Sequence, residues 1–304
     1  MGKKTSLKAT LQGQQARLKS KQKASHAAEV AEQRAKGKGR DKGKDKAPPR
    51  PTIPFNPTDK ILLIGEGNFS FTHALVFHPP PVLADLPPSN VTATAYDSED
   101  ECYVKYPDAK TMVEALEHKG VEILFGIDAT HLEKVLALKG KKWNRIVWNF
   151  PHAGKGITNQ DRNILSNQVL ILDFLRSASK SLVTGSVPVV NGPRKRKNTE
   201  DEESDANMSG DEETTQKQVA ERGTILITLR NVAPYTGWDV PRLAKNPPKP
   251  KKEGALLNPC FILLRSFVFY RALWKGYEHR MTKGERAHGQ GKTGEGGEDR
   301  TWEF

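Results

Sequence analysis

Two short stretches and two lone acids stand out as a possible site. They are Gly65-Glu66-Gly67-Asn68-Phe69, the separate acids Asp97 and Asp128, and Asn149-Phe150-Pro151-His152. Gly65 and Gly67 directly follow the apolar run "ILLI". A glycine there can take the left-handed backbone of a sharp strand-to-helix turn, and a second leaves the backbone bare for close approach by a ligand. The N-terminus of the following helix then points at the same spot. A dinucleotide fingerprint would place a third glycine at position 70, where Ser70 stands. Taken alone, the pair is also explained by a tight turn with nothing bound.

Asp97 and Asp128 end the second and third apolar runs, "VTATAYD" and "VEILFGID". In a doubly wound sheet the first three strands deliver their C-terminal ends to one crevice. An acid after the second strand can accept from two ribose hydroxyls, and one after the third can accept from an adenine amino group. Either acid alone reads as a loop or helix-capping residue. With the glycine turn they fit adenosine. No Lys–Ser/Thr pair suited to phosphate lies near, which disfavours a nucleoside triphosphate. The expected cofactor is S-adenosyl-L-methionine, whose sulfonium is compatible with the Glu66 carboxylate. Gly65, Glu66, Gly67, Asn68, Phe69, Asp97, Asp128 and Ala129 are the expected cofactor wall, and no metal is expected.

The fourth run, "RIVWNF", leads into Asn149-Phe150-Pro151-His152. This has the shape of the Asn–Pro–Pro–aromatic loop of nitrogen methyltransferases. In such a loop a carboxamide and a backbone carbonyl hold the target nitrogen, proline stiffens the chain, and a ring stacks on a base. Asn149, Pro151 and His152 are the expected catalytic residues. Phe150, Lys155, Arg230 and Tyr235 are expected on the substrate side. His152 alone in the loop can take a proton near neutral pH, so base and stacking partner are both open. A proline-ended strand with His152 satisfied locally is the plain alternative.

The elements that must position these residues show in the order of apolar runs: 60–65, 91–97, 121–128, 145–150, 223–229 and 260–269. The first five are short and often apolar on both faces, as buried parallel strands are. Helical stretches fall between them: "NFSFTHALVF", "YVKYPDAKTMVEALEHKG", "ATHLEKVLALKG" and "DRNILSNQVLILDFLRSASKSL". In the last, Leu165, Val169, Leu172 and Leu175 share a face. Alternating strand and helix predicts a doubly wound α/β sheet. The stretch "FILLRSFVFYRALWKGYEHRMT" predicts an antiparallel hairpin closing it.

Outside these runs the composition changes. Residues 1–50 hold fifteen Lys/Arg against four Asp/Glu and few large apolar residues, a basic arm or nuclear address. Residues 186–222 are basic, then acidic, and of low complexity, which predicts disorder. Within them "GPRKRKN" is suited to nuclear import, and Ser209 lies in an acidic context where a kinase could act. The expected organisation is a disordered basic tail over 1–57, a domain over 58–284 interrupted by the 186–222 insertion, and a flexible C-terminal tail over 285–304. Two cysteines, Cys102 and Cys260, are too few for a disulfide framework, and no apolar run reaches membrane-spanning length.

In their order, "ILLIGEGNFSF", "ATAYDS", "GIDAT", "WNFPHAGKG", "QDRNILSNQ", "ITLRNVAPYTGW" and "GYEHRMTKG" resemble the 25S rRNA (uridine-N3)-methyltransferase family of fungi and its eukaryotic relatives. The resemblance covers about 58–185 and 223–284. It implies a seven-stranded class I, Rossmann-like fold and S-adenosyl-L-methionine as donor. It also implies N3 of a uridine in large-subunit ribosomal RNA as acceptor, bare or in a pre-60S particle, and a nuclear, nucleolar setting. A monomer is expected, with no membrane and no other small-molecule substrate. A noncatalytic RNA-binding assembly factor on the same fold, or a methyltransferase acting on protein, are the alternatives.

Overall fold

The computed structural model describes residues 51–188, 221–249, 257–281 and 297–304. The basic arm, the import cluster and Ser209 lie outside the described residues.

Seven strands among the described residues form one sheet. They are β1 (Ile61–Ile64), β2 (Val91–Thr94), β3 (Glu122–Leu124), β4 (Arg145–Asn149), β5 (Thr224–Arg230), β6 (Arg265–Val268) and β7 (Asp299–Glu303), in the order β3-β2-β1-β4-β5-β7-β6. The strands from β3 through β5 run parallel, and β7 is antiparallel to both neighbours. β1 is buried along its whole length, as a central parallel strand must be. Its side chains alternate between two cores. Leu62 and Ile64 join Ile146, Trp148, Ile225 and Phe174 on one face. Ile61 and Leu63 join Phe71, Leu75, Val113 and Leu116 on the other. Helices α1 (Ser70–Phe77) and α3 (Ala109–His118) cover this second face, and α4 (Gln160–Ala178) and α5 (Val240–Lys245) the first. The short α2 (Glu99–Lys105) starts at a capping box, with Ser98 and Glu101 satisfying each other's backbone.

Register sets the site. Leu63 pairs with Ala93 and Val147, and Asn149 pairs with Thr228, so the strands end side by side. The parallel core is as the sequence predicts, but three expectations are corrected. The expected stripe on α4 holds only in its C-terminal half: Leu172 and Leu175 are buried, together with Asn167, Ile171, Phe174 and Ala178, whereas Leu165 is 60% and Val169 49% exposed. A polar residue, Asn167, occupies the buried stripe and disguises it. The segment after Asp128 is two 3₁₀ pieces, Ala129–Lys134 and Leu136–Leu138, because the backbone leaves helical angles at His131 within the first and is extended at Val135 between them.

The third correction concerns the C-terminus. Residues 285–304 are not a flexible tail throughout: β7 lies between β5 and β6, and Phe304 is buried. The closing antiparallel pair exists, but its inner strand is supplied from here. The inward residues of β7 are Asp299, Thr301 and Glu303, each with a partner. Thr301 shares a hydroxyl hydrogen bond with Thr228 (2.9 Å), Glu303 accepts from Thr224 (2.9 Å) and Arg265 (2.6 Å), and Asp299 accepts from Arg271 (2.6 Å). A strand buried through polar pairs carries no apolar signature. The compact unit spans Pro51–Phe304, so it begins before and ends after the expected 58–284. The described ends of the 186–222 excursion meet, where Ser186 bridges to Glu221.

Candidate active site

A cavity of about 400 Å³ opens at the C-terminal ends of β1, β2 and β4. It brings together thirteen of the expected residues: Gly65, Glu66, Gly67, Asn68, Phe69, Asp97, Asp128, Ala129, Asn149, Phe150, Pro151, His152 and Lys155.

The glycine turn is built as its sequence requires. Gly65 has φ +63°, and a Cβ there would also meet Trp148 Nε1 at 3.0 Å. Its N–H donates to Thr94 Oγ1 (3.2 Å), and the Glu66 N–H donates to the Thr94 carbonyl (2.8 Å), so β2 holds the loop. At Gly67 the space a side chain would need is taken by Tyr106, 3.2 Å from the Cβ position, rather than left open to a ligand. Asn68 and Phe69 are buried beneath the loop: Asn68 Nδ2 donates to Asp108 (2.9 Å), and Phe69, at φ 60°, packs edge-on to Phe125. Ser70, in place of a third glycine, exchanges hydrogen bonds with Glu278, donating to its carbonyl (3.0 Å) and accepting from its N–H (3.1 Å). This fastens the segment Tyr277–Arg280 across the loop. Tyr106 adds a bond to the Met281 carbonyl (2.8 Å), and Arg280 pairs with Asp108 (3.0 Å).

The acids differ in state. Glu66 retains some surface exposure, yet protein crowds its carboxyl, and burial raises its pKa to about 7 against the opposing bonds from the Thr72 hydroxyl and N–H. Asp97 is paired with Lys105. Asp128 caps the following 3₁₀ piece. Burial raises its pKa, but bonds from Thr130 and His131 outweigh that and hold the carboxyl below its ordinary range. Asp128 therefore carries the capping role and faces the cavity together.

At the other end, Asn149 closes β4, and its Oδ1 is buried with no hydrogen-bond partner among the described residues. Phe150 stands at φ 53°, uncommon for a bulky residue and concentrated at functional sites. Its N–H donates to the Thr228 carbonyl (2.8 Å), and its ring lies 4.3 Å from His279 and 5.0 Å from the Arg271 guanidinium. The ring is thus part of the wall. Asn167 Oδ1 accepts from the Ala153 N–H (2.8 Å) and pins the loop to α4. His152 is exposed at its surface, yet neighbouring protein desolvates part of its ring and lowers its pKa, and its Nδ1 accepts from the Gly154 N–H (2.9 Å). His279 is lowered further, to about 4, by burial first and then by Arg271 and Arg230.

Two expected residues lie outside the cavity lining. Arg230, at the end of β5, faces Asp299 at 3.8 Å. Tyr235 packs edge-on to Trp238 (5.2 Å), whose ring is in turn 6.0 Å from His152. Sequence reasoning missed Tyr96, Tyr106, Tyr277, His279 and Arg280 as lining residues. The signal for three of them was the motif "GYEHRMTKG", which no strand pattern linked to the glycine turn.

A sheet of this order with one antiparallel strand, carrying a glycine turn and two acids at adjoining strand ends, defines a Rossmann-like class I methyltransferase. The family model for rRNA (uridine-N3-)-methyltransferase, BMT5-like, matches residues 62–281, and the chain belongs to that family. It is 29% identical over 255 residues to the 25S rRNA (uridine(2634)-N(3))-methyltransferase of Saccharomyces cerevisiae, covering 77% of this chain and 69% of that protein. It is 26% identical over 236 residues to heavy metal-associated isoprenylated plant protein 41 of Arabidopsis thaliana, covering 76% of this chain and 35% of the plant protein. The mouse ferredoxin-fold anticodon-binding domain-containing protein 1 homolog is 33% identical over 124 residues, covering 40% of this chain and 18% of that protein. No solved structure matches the chain.

Proposed function

We propose that the chain transfers a methyl group from S-adenosyl-L-methionine to N3 of a uridine in large-subunit ribosomal RNA. The observation that carries the reading is the unpartnered Asn149 Oδ1 in the wall of the cavity that also holds the glycine turn. A buried acceptor without a donor is costly, and a substrate N–H would satisfy it. Uridine N3 bears such a proton.

The donor set fits the methyl donor. About 400 Å³ is within the range of small-molecule sites, and carboxylates at Glu66, Asp97 and Asp128 suit a cationic, hydroxyl-rich ligand. Asp97 would take the ribose, Asp128 and Ala129 the adenine, and Glu66 the cationic end. Bound there, the donor supplies a methyl carbon on a sulfonium, an electrophile that neutral pH alone does not provide. N3 lies on the Watson–Crick edge, so the uracil must be unpaired or flipped out to reach the cavity. Asn149 Oδ1 would accept from N3–H as the neutral uracil enters and fix the ring, with the Pro151 carbonyl beside it. It would give up that contact when the proton leaves to solvent and frees the N3 lone pair for the methyl carbon. Lys155, exposed at the cavity rim, is placed to meet a phosphate. The reading carries with it ribosomal RNA as partner, alone or in a pre-60S particle, a monomeric enzyme, and a nucleolar location for which the basic arm is suited.

Incubation with tritiated S-adenosyl-L-methionine and either total RNA or total protein tests this. Label in large-subunit rRNA supports it. Label only in protein points to the protein-methyltransferase alternative, and no label with no cofactor binding points to a noncatalytic factor.

A further inference from the structure

We infer that His152 is a specificity-determining residue that presents Nε2–H to a pyrimidine carbonyl and, with Asn149, selects uracil over cytosine. This rests on the proposed function and names how that site reads its base.

The Gly154 N–H donates to His152 Nδ1 at 2.9 Å. A backbone N–H can only donate, so Nδ1 holds a lone pair, and a neutral imidazole then carries its proton on Nε2. The donor is fixed in place. Gly154 sits at φ +63°, the Ala153 N–H before it is tied to Asn167, and Phe150 is tied to β5. Protonating Nδ1 would set N–H against N–H, and the protein crowding one side of the exposed ring also favours its neutral form. In this geometry His152 offers the cavity a donor rather than a lone pair, so it does not serve as the base. Its ring is not stacked on Trp238 either, being 6.0 Å away and tilted.

Three residues earlier on the same loop, Asn149 offers a bare acceptor to the same cavity. An acceptor and a donor in one cavity wall complement the entering neutral uracil, whose N3–H lies between two carbonyls. Cytosine presents a lone pair at N3 and an amino group at C4, so at least one of the two contacts would set like against like. Asn149 Oδ1 is buried, and a buried hydrogen-bonding group rejects the wrong partner strongly because it is left unpaired. The Nε2–H would also stabilise negative charge gathering on the carbonyl as N3 loses its proton to solvent.

The test has two arms on the full chain. Long-range ¹H–¹⁵N spectra of ¹⁵N-histidine protein at neutral pH, with His152 assigned by its loss in His152→Gln, should show a neutral ring protonated on Nε2. An imidazolium or an Nδ1–H tautomer would overturn the inference. In the second arm, an in vitro transcript of large-subunit rRNA is methylated, and N3-methyluridine and N3-methylcytidine are counted by mass spectrometry. His152→Phe, which keeps a ring and removes the donor, should lower uridine methylation roughly tenfold or more. His152→Gln, whose amide can donate or accept, should recover part of the rate and raise the cytidine-to-uridine ratio. Uridine methylation by His152→Phe at the wild-type rate would overturn this inference alone. Absence of N3-methyluridine from the wild-type reaction would overturn the proposed function and the inference with it.

Discussion

Glu66→Gln should stabilise the ligand-free protein, by an amount that grows with pH. The carboxyl has an ordinary pKa of 4.5 and is raised to about 7 in the fold. At pH below 4.5 it is protonated in both folded and unfolded chains and contributes nothing to the difference. Between 4.5 and 7 the unfolded chain loses the proton while the folded chain keeps it, so stability falls as pH rises. Above 7 the full penalty is present, about 3 kcal/mol at 1.36 kcal/mol per unit. Gln has no proton to lose, and its amide oxygen can still accept from Thr72. Urea unfolding of both proteins at several pH values between about 4.5 and 8.5 isolates the effect, because every other group is common to the two. The variant should be nearly equal to wild type at the acid end and about 3 kcal/mol more stable at the alkaline end. A difference that does not change with pH would refute the burial argument for this carboxyl. The ionised carboxylate is also the form a cationic cofactor favours. S-adenosyl-L-methionine affinity should therefore rise through pH 7 in wild type and stay flat in the variant.

Asp97→Ala should weaken calorimetrically measured S-adenosyl-L-methionine binding by about ten- to a hundredfold, since hydrogen bonds to a charged group contribute roughly 1.5–3 kcal/mol each; unchanged affinity would remove Asp97 from the cofactor wall. Truncation after residue 296 should abolish cooperative thermal unfolding, because Thr224 and Arg265 would lose their buried partner Glu303 along with the Phe304 contact; a truncated chain melting within a few degrees of wild type would show that β7 is dispensable. Deleting 189–220 while keeping the Ser186–Glu221 bridge should leave the melting temperature nearly unchanged, as shortening a loop changes closure entropy little. A large drop would place the segment in the core.

The parallel half of the fold was legible because buried parallel strands are apolar on both faces, as "ILLI" and "RIVWN" are. The two halves of the cavity were legible for the same reason: the expected residues follow directly where those strands stop, and they line it together. What hid was polar burial. Asn167 holds the Asn149–His152 loop from within α4, and Asp299, Thr301 and Glu303 hold β7 between its neighbours, yet each reads as surface in the sequence. Hydrogen-bonded partners far along the chain satisfy them, and no local pattern carries that information. The strap at Tyr277–Arg280 hid likewise, since its bond to Ser70 spans 208 residues. Arg230 and Tyr235 were placed by motif alone, and neither lines the cavity: Arg230 stands by Asp299 and close enough to His279 to depress its pKa, and Tyr235 packs on Trp238.

The central claim is that this cavity brings a methyl donor to N3 of a ribosomal uridine. The most direct measurement uses donor carrying a deuterated methyl group, the purified chain and a large-subunit rRNA transcript, followed by digestion to nucleosides and mass spectrometry against an N3-methyluridine standard. The wild-type chain should yield deuterated N3-methyluridine, and Asn149→Ala should lose most of it with cofactor binding retained. Label on another atom or another nucleoside, or full N3-methyluridine from Asn149→Ala, would contradict it.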